Sequence, residues 1–124
     1  MPLGYRVFTE VERPPRELVE RLAKISTADL ADCMQKAGTL DGTIRPIYKP
    51  MPSFAGPAVT LSLPTGAFNS KKMALEMTRA GDVLVIAGRG LNQYALLGGN
   101  IAFGLKRRGL AGAVIDGAVR DPRQ

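Results

Sequence analysis

The chain has 124 residues, of which 45% are hydrophobic and 23% charged, with a formal net charge of +6, one cysteine and no histidine. This composition suits one globular domain able to bury a core, and no apolar run approaches the about 18 residues that a membrane helix requires. The missing histidines exclude Ser-His-Asp and Cys-His nucleophilic chemistry and the usual His or multi-Cys zinc sites, so acid–base work falls to carboxylates, lysine, tyrosine or metal-bound water.

The N-terminus, Met1-Pro2-Leu3-Gly4-Tyr5-Arg6, has no signal-peptide apolar region, and residues 1–13 read as an irregular, partly extended arm. Pro14-Pro15 opens a first helix whose apolar stripe is Leu18, Val19, Leu22 and Ile25. Ser26 or Thr27 caps a second helix, with Asp29 in its first turn, and this helix is expected to bury Leu30, Ala31, Cys33 and Met34 before ending near Gly38. Cys33 cannot form an internal disulfide and fits a reducing cytoplasm; it is expected to pack as a small apolar residue. Residues 38–53, with Gly38, Gly42, Pro46, Pro50 and Pro52, read as loop with one short strand at 44–48.

A strand is predicted over residues 54–63, with Gly56-Pro57 marking a bulge or edge position. Residues 66–70 lead into a helix at 71–78. Ala80-Gly81-Asp82 then turns the chain into Val83-Leu84-Val85-Ile86-Ala87, a continuous apolar run of the kind found in buried strands. After Gly88-Arg89-Gly90, a helix starts near 97–99, turns Ile101, Ala102 and Leu105 inward and stops at Gly109. The strand 112–116 follows. Residues 83–116 therefore form a βαβ-like unit whose loops 88–100 and 116–121 both leave the carboxyl ends of neighbouring strands. In such units ligands gather at strand carboxyl ends and helix amino ends.

Two features of these loops carry chemistry. Gly98-Gly99-Asn100-Ile101 offers backbone N–H groups at a helix start, where the dipole favours an anion and glycine permits its close approach. Asp116-Gly117-Ala118-Val119-Arg120-Asp121 presents a guanidinium beside a carboxylate, a pair suited to clamping an anionic substrate and holding a hard divalent cation. Gly88-Arg89-Gly90 is only a fragment of a nucleotide loop, since Gln93 stands where a third glycine belongs. The basic runs, Lys71-Lys72 and Lys106-Arg107-Arg108, fall on helices and lack interleaved aromatics, so nucleic acid is not the expected partner. Tyr48, Lys49, Lys71 and Arg89 are candidate secondary contacts, with plain surface placement the expected reading for each.

In order along the chain, Ile25-Ser26-Thr27-Ala28-Asp29-Leu30-Ala31-Asp32, Ala55-Gly56-Pro57-Ala58-Val59-Thr60, Ala80-Gly81-Asp82-Val83-Leu84-Val85, Leu97-Gly98-Gly99 and the block from Arg108 through Asp116-Gly117-Ala118-Val119-Arg120-Asp121 resemble the RraA-like family. That family includes 4-hydroxy-4-methyl-2-oxoglutarate aldolases that also decarboxylate oxaloacetate, and regulators of ribonuclease E. The resemblance implies a single α/β domain over residues 1–124, of the layered β/β/α swivelling type. It further implies a homo-oligomer (trimer or hexamer) in the cytoplasm, with no membrane partner. By the same resemblance Arg120 binds the keto acid and steadies the enolate, Asp121 positions a magnesium or manganese ion, and Gly98, Gly99, Asn100 and Ile101 cradle the substrate carboxylate. The expected activity is a metal-dependent lyase acting on a small 2-oxo dicarboxylic acid through a pyruvate enolate.

This chain departs from the pattern in two places. The family's aldolases carry an acidic residue twenty-one positions before the arginine, where this chain has Gly99, and this puts retro-aldol proton transfer in question. Family members also continue past the Arg-Asp turn, so the resemblance implies a domain lacking its C-terminal elements, or one completed by another chain. The competing expectation is a non-catalytic protein that binds and modulates a ribonuclease or helicase. A methyltransferase reading has no support beyond the Gly88-Arg89-Gly90 fragment.

Overall fold

A computed structural model describes residues 6–63, 68–90 and 92–122. In chain order the elements are α1 (Arg16–Leu22), α2 (Thr27–Cys33), β1 (Ala58–Ser62), α3 (Phe68–Met77), β2 (Val83–Ala87), β3 (Ala95–Leu97), α4 (Gly99–Arg107), β4 (Gly112–Asp116) and β5 (Ala118–Val119). The apolar run 83–87 takes the centre of a three-stranded parallel sheet ordered β1-β2-β4, as a strand covered on both faces should. Its register pairs Val83 with both Ala58 and Gly112, and Ala87 with both Ser62 and Asp116, so the three carboxyl ends align. A second, two-stranded parallel sheet joins β3 to β5.

One apolar cluster ties the two sheets and two helices together. Leu84 and Ile86 of β2, Leu63 just after β1, Ala74 of α3, Leu96 of β3 and Leu105 of α4 are all buried in it. The molecule is thus an α/β fold built on parallel sheets, and β2–α4–β4 is the βαβ unit expected from the sequence.

Several expectations need correction. Gly56-Pro57 precedes β1 instead of interrupting it, because Pro57 already uses its carbonyl to accept the Val83 N–H at 2.8 Å. β1 is nonetheless an edge strand. Residues 44–48 form no strand: 44–46 are irregular, 47–48 bend, and all but the half-buried Ile44 are exposed. Ser26 caps α2 through its side chain, accepting from the Asp29 N–H as predicted. Neither α1 nor α2 buries a residue, however, and Leu18, Leu22, Ile25, Met34 and Cys33 are exposed. Helical periodicity identifies a face able to pack, but not whether the same chain packs on it. The expected lead-in at 66–70 falls partly outside the described residues; α3 itself begins at Phe68.

The N-terminal arm is anchored at Arg13. Its guanidinium binds Asp82 at 2.7 Å and donates to the Met77 carbonyl at 3.0 Å. Asp82, only 1% exposed, also accepts the Arg79 N–H at 2.8 Å. Burial is the largest single influence on the Asp82 carboxyl and pushes its pKa up. The hydrogen bonds from Arg13 and Arg79, with their charges, outweigh burial and hold it below the ordinary value.

Candidate functional site

The site is built where the second sheet meets α4. β3 ends at Leu97, Gly98 is the extended N-cap (φ −129°, ψ 175°), and α4 starts at Gly99. β5 runs parallel to β3, so the chain following Val119 emerges beside this helix start. Sequence reasoning brought loops 88–100 and 116–121 together but treated both as irregular. The short strands β3 and β5 within them are what fix the meeting. Runs of three and two residues are too short for periodicity to reveal.

The Arg120 N–H donates to the Leu97 carbonyl at 3.0 Å, which locks the Arg-Asp turn to the end of β3. The Arg120 side chain then lies across Gly98: a Cβ at that glycine would sit 2.8 Å from its Nε. Asp121 adopts a left-handed conformation (φ 59°), and its Oδ2 accepts the Gly99 N–H at 3.3 Å while lying 3.6 Å from Arg120 Nε. Gly98, Gly99, Arg120 and Asp121 therefore share one small surface. Asn100 and Ile101 follow in the first turn of α4, where backbone N–H groups have no partner within the helix. The Gly99 amide is turned to Asp121 instead of standing open.

Both candidate side chains are accessible, Arg120 at 73% and Asp121 at 42%. Among the described residues the Asp121 carboxylate accepts a hydrogen bond only from the Gly99 N–H and pairs in charge with Arg120, which leaves coordinating capacity on its second oxygen. No group of three or more His, Cys, Asp or Glu side chains that could enclose a metal occurs among the described residues. A donor set of one carboxylate fits an ion such as magnesium, which retains several waters and takes further oxygens from a substrate. It does not fit a metal that needs an all-protein cage.

Lys71 is the residue that sequence reasoning misplaced. Far from lying on the open surface, it is half-buried, and its Nζ is 3.5 Å from the Ala95 carbonyl of β3. Its ammonium is held below the usual lysine value, first by burial and second by the charge of Arg120. Only tertiary structure could reveal this, since α3 reaches β3 across the core. Gly88-Arg89-Gly90 forms a turn in which Arg89 and Gly90 have positive φ, and Gly88 donates to the Asp116 carbonyl at 2.8 Å. It braces the ends of β2 and β4. A cavity of about 430 Å³ lies elsewhere, between Thr9–Arg13 of the arm and the end of α3, and none of the site residues lines it.

The geometry is matched by kinship. The profile of the RraA-like family, described as Aldolase/RraA, fits residues 27–124. The chain belongs to the RraA-like family. A Burkholderia mallei protein provisionally named 4-hydroxy-4-methyl-2-oxoglutarate aldolase is 40% identical over 105 residues, covering 77% of this chain and 61% of the relative. The chain thus spans about three-fifths of the length of the curated relatives it matches. Among solved RraA-like structures, Streptomyces coelicolor RraAS2, described as an unusual member of the RNase ES inhibitor RraA family, superposes with TM-score 0.72 at 30% identity. That match covers 91% of this chain and 59% of the other. A Geobacillus kaustophilus protein titled S-adenosylmethionine:2-dimethylmenaquinone methyltransferase matches with TM-score 0.62 at 34% identity, over 79% of this chain and 60% of that one. No helix among the described residues of this RraA-like chain is long and apolar enough to cross a membrane.

Proposed function

We infer that this protein is a divalent-metal-dependent lyase that cleaves a carbon–carbon bond in a small 2-oxo dicarboxylic acid and releases pyruvate by way of its enolate. The observation that supports this most is the Arg120–Asp121 turn, locked to Leu97 and facing the start of α4. Names borne by relatives at 40% identity point the same way.

Breaking the bond between the carbon next to the keto group and the carbon beyond it leaves the electron pair on that α carbon as an enolate, whose oxygen requires a positive charge already in position. The Arg120 guanidinium offers that charge as a planar fork suited to a keto acid, a shape lysine does not reproduce. Asp121 is the group that would hold magnesium or manganese, with waters and substrate oxygens completing the shell. The ion when bound supplies Lewis-acid polarisation of the keto oxygen. Asn100 and Ile101, with Gly98 and Gly99 allowing close approach, receive a substrate carboxylate at the dipole's positive end. Because Gly99 carries no acid, decarboxylation is the less demanding reaction: CO₂ departs and solvent water protonates the enolate. Retro-aldol cleavage must also remove a hydroxyl proton. The protein is read as a cytoplasmic homo-oligomer.

The test is release of pyruvate from oxaloacetate and from 4-hydroxy-4-methyl-2-oxoglutarate by the purified protein with magnesium. Activity should fall at least a hundredfold in Arg120→Ala, the scale of losing one preplaced charge donor, and it should vanish on chelation. No pyruvate from either substrate removes the lyase reading. Capture of a ribonuclease that survives Asp121→Ala would then favour a regulatory binder.

A further inference from the structure

Beyond the Arg120–Asp121 turn, the fold carries one more cation to the edge of the site. Lys71 projects from α3, is half-buried, and among the described residues donates only to the Ala95 carbonyl, at 3.5 Å. That is a long, weak contact for an ammonium with three protons to donate. No carboxylate pairs with Lys71 among the described residues, and the guanidinium of Arg120 is close enough for its charge to be felt there. Asp121, at this edge, lies against Arg120 and the Gly99 amide. Lys71 meets β3 at Ala95, which pairs with Ala118 of β5, and Arg120 follows β5 and is tied to Leu97 of β3. The two cations therefore stand along one edge of the second sheet, Lys71 half-buried and Arg120 exposed, and like charges so placed repel. An anion bridging them relieves that repulsion.

We propose that Lys71 is a specificity-determining residue, its ammonium receiving the second carboxylate of a 2-oxo dicarboxylic acid whose keto-acid end faces Arg120. The inference rests on the lyase reading and adds to it the reason a dicarboxylate is preferred. Arg120 matches the planar keto-acid end as a fork, and Lys71 answers the far carboxylate as a point charge on a flexible stem. A monocarboxylic 2-oxo acid leaves Lys71 unanswered, and a site built for a polar group rejects a ligand that lacks it.

Calorimetry on the full chain with saturating magnesium tests this, using 2-oxoglutarate as a stable dicarboxylate and 2-oxobutyrate as its monocarboxylic counterpart. The wild type should prefer 2-oxoglutarate by about tenfold, the size of one charge-assisted hydrogen bond. Lys71→Met should erase the preference by weakening 2-oxoglutarate alone, and Lys71→Arg should restore most of it. A wild type indifferent to the second carboxylate, or a Lys71→Met that weakens both ligands equally, overturns the role of Lys71. The lyase reading would still stand on the effect of Arg120→Ala on pyruvate release. Failure of the wild type to bind either acid overturns both.

Discussion

Gly98 and Arg120 are coupled so closely that a single methyl group separates fold from function. Gly98 has an extended φ of −129°, which any residue adopts, so alanine there strains no backbone. The new Cβ would nevertheless stand 2.8 Å from Arg120 Nε, inside contact distance. The guanidinium is 73% exposed and can swing away at small cost to stability. Gly98→Ala should therefore leave the melting temperature within about 2 °C, as for a surface change. Pyruvate release should drop at least tenfold, because catalysis suffers from displacements of about 1 Å. Equal loss of stability and activity would show that Gly98 serves the fold alone. The chemistry at this scale was legible early: Arg120, Asp121 and the glycine pair stand in recognisable sequence blocks, and their meeting follows from strand order. The half-buried placement of Lys71 against Ala95 was not legible, because it depends on how α3 packs across the sheets.

At the scale of elements, the joint between the N-terminal arm and the α3–β2 turn concentrates stability in one buried ion pair. Asp82 binds Arg13 and caps the Arg79 N–H, with 2% of its side chain accessible against 16% for Arg13. Removing one partner of such a pair strands the other, so Asp82→Ala should cost about 3 kcal/mol of unfolding free energy, measured by urea titration. A pH dependence follows from the same carboxylate, whose folded pKa is lowered. Its stabilisation is complete above the unfolded value of about 3.9 and disappears as pH falls through the folded value, so wild-type stability should decline below about pH 4. Asp82→Ala should show less of that decline; an identical acid profile would assign the effect to other carboxylates. The elements themselves divide by size in how readable they were. The run 83–87 and the helix ended by Gly109 announce themselves by apolar length, periodicity and a stop signal, and both fall where predicted. β3 and β5 carry too few residues for any pattern, and tertiary pairing alone defines them. Ile44, Ile47 and Tyr48 looked strand-like by composition, yet Pro46 and Pro50 leave that segment without a ladder to join.

For the molecule as a whole, surface area is the telling quantity. A compact monomer of 13.3 kDa should expose about 6,500 Å², whereas this chain exposes 9772 Å². The excess is partly apolar: Phe8, Leu18, Leu22, Ile25, Met34 and Leu40 are each more than 40% accessible, and they fall in the arm, α1, α2 and the segment that follows. Apolar surface on that scale is what the homo-oligomer reading would use as its association face. The +6 charge acts against association of identical copies, since like charges repel across the interface. Hydrophobic contact gains with area and is indifferent to screening, while the repulsion weakens once the Debye length shrinks to about 8 Å at physiological ionic strength. Sedimentation at micromolar concentration should therefore find a species heavier than one 13.3 kDa chain, its dissociation constant falling as sodium chloride rises from 20 to about 300 mM. Leu18→Glu combined with Leu22→Glu should shift the population toward monomer while circular dichroism keeps the wild-type sheet signal, because neither side chain reaches the core cluster. A wild type that sediments as a monomer at every salt concentration would mean that these residues face solvent in the free protein, and the homo-oligomer reading would fall with it.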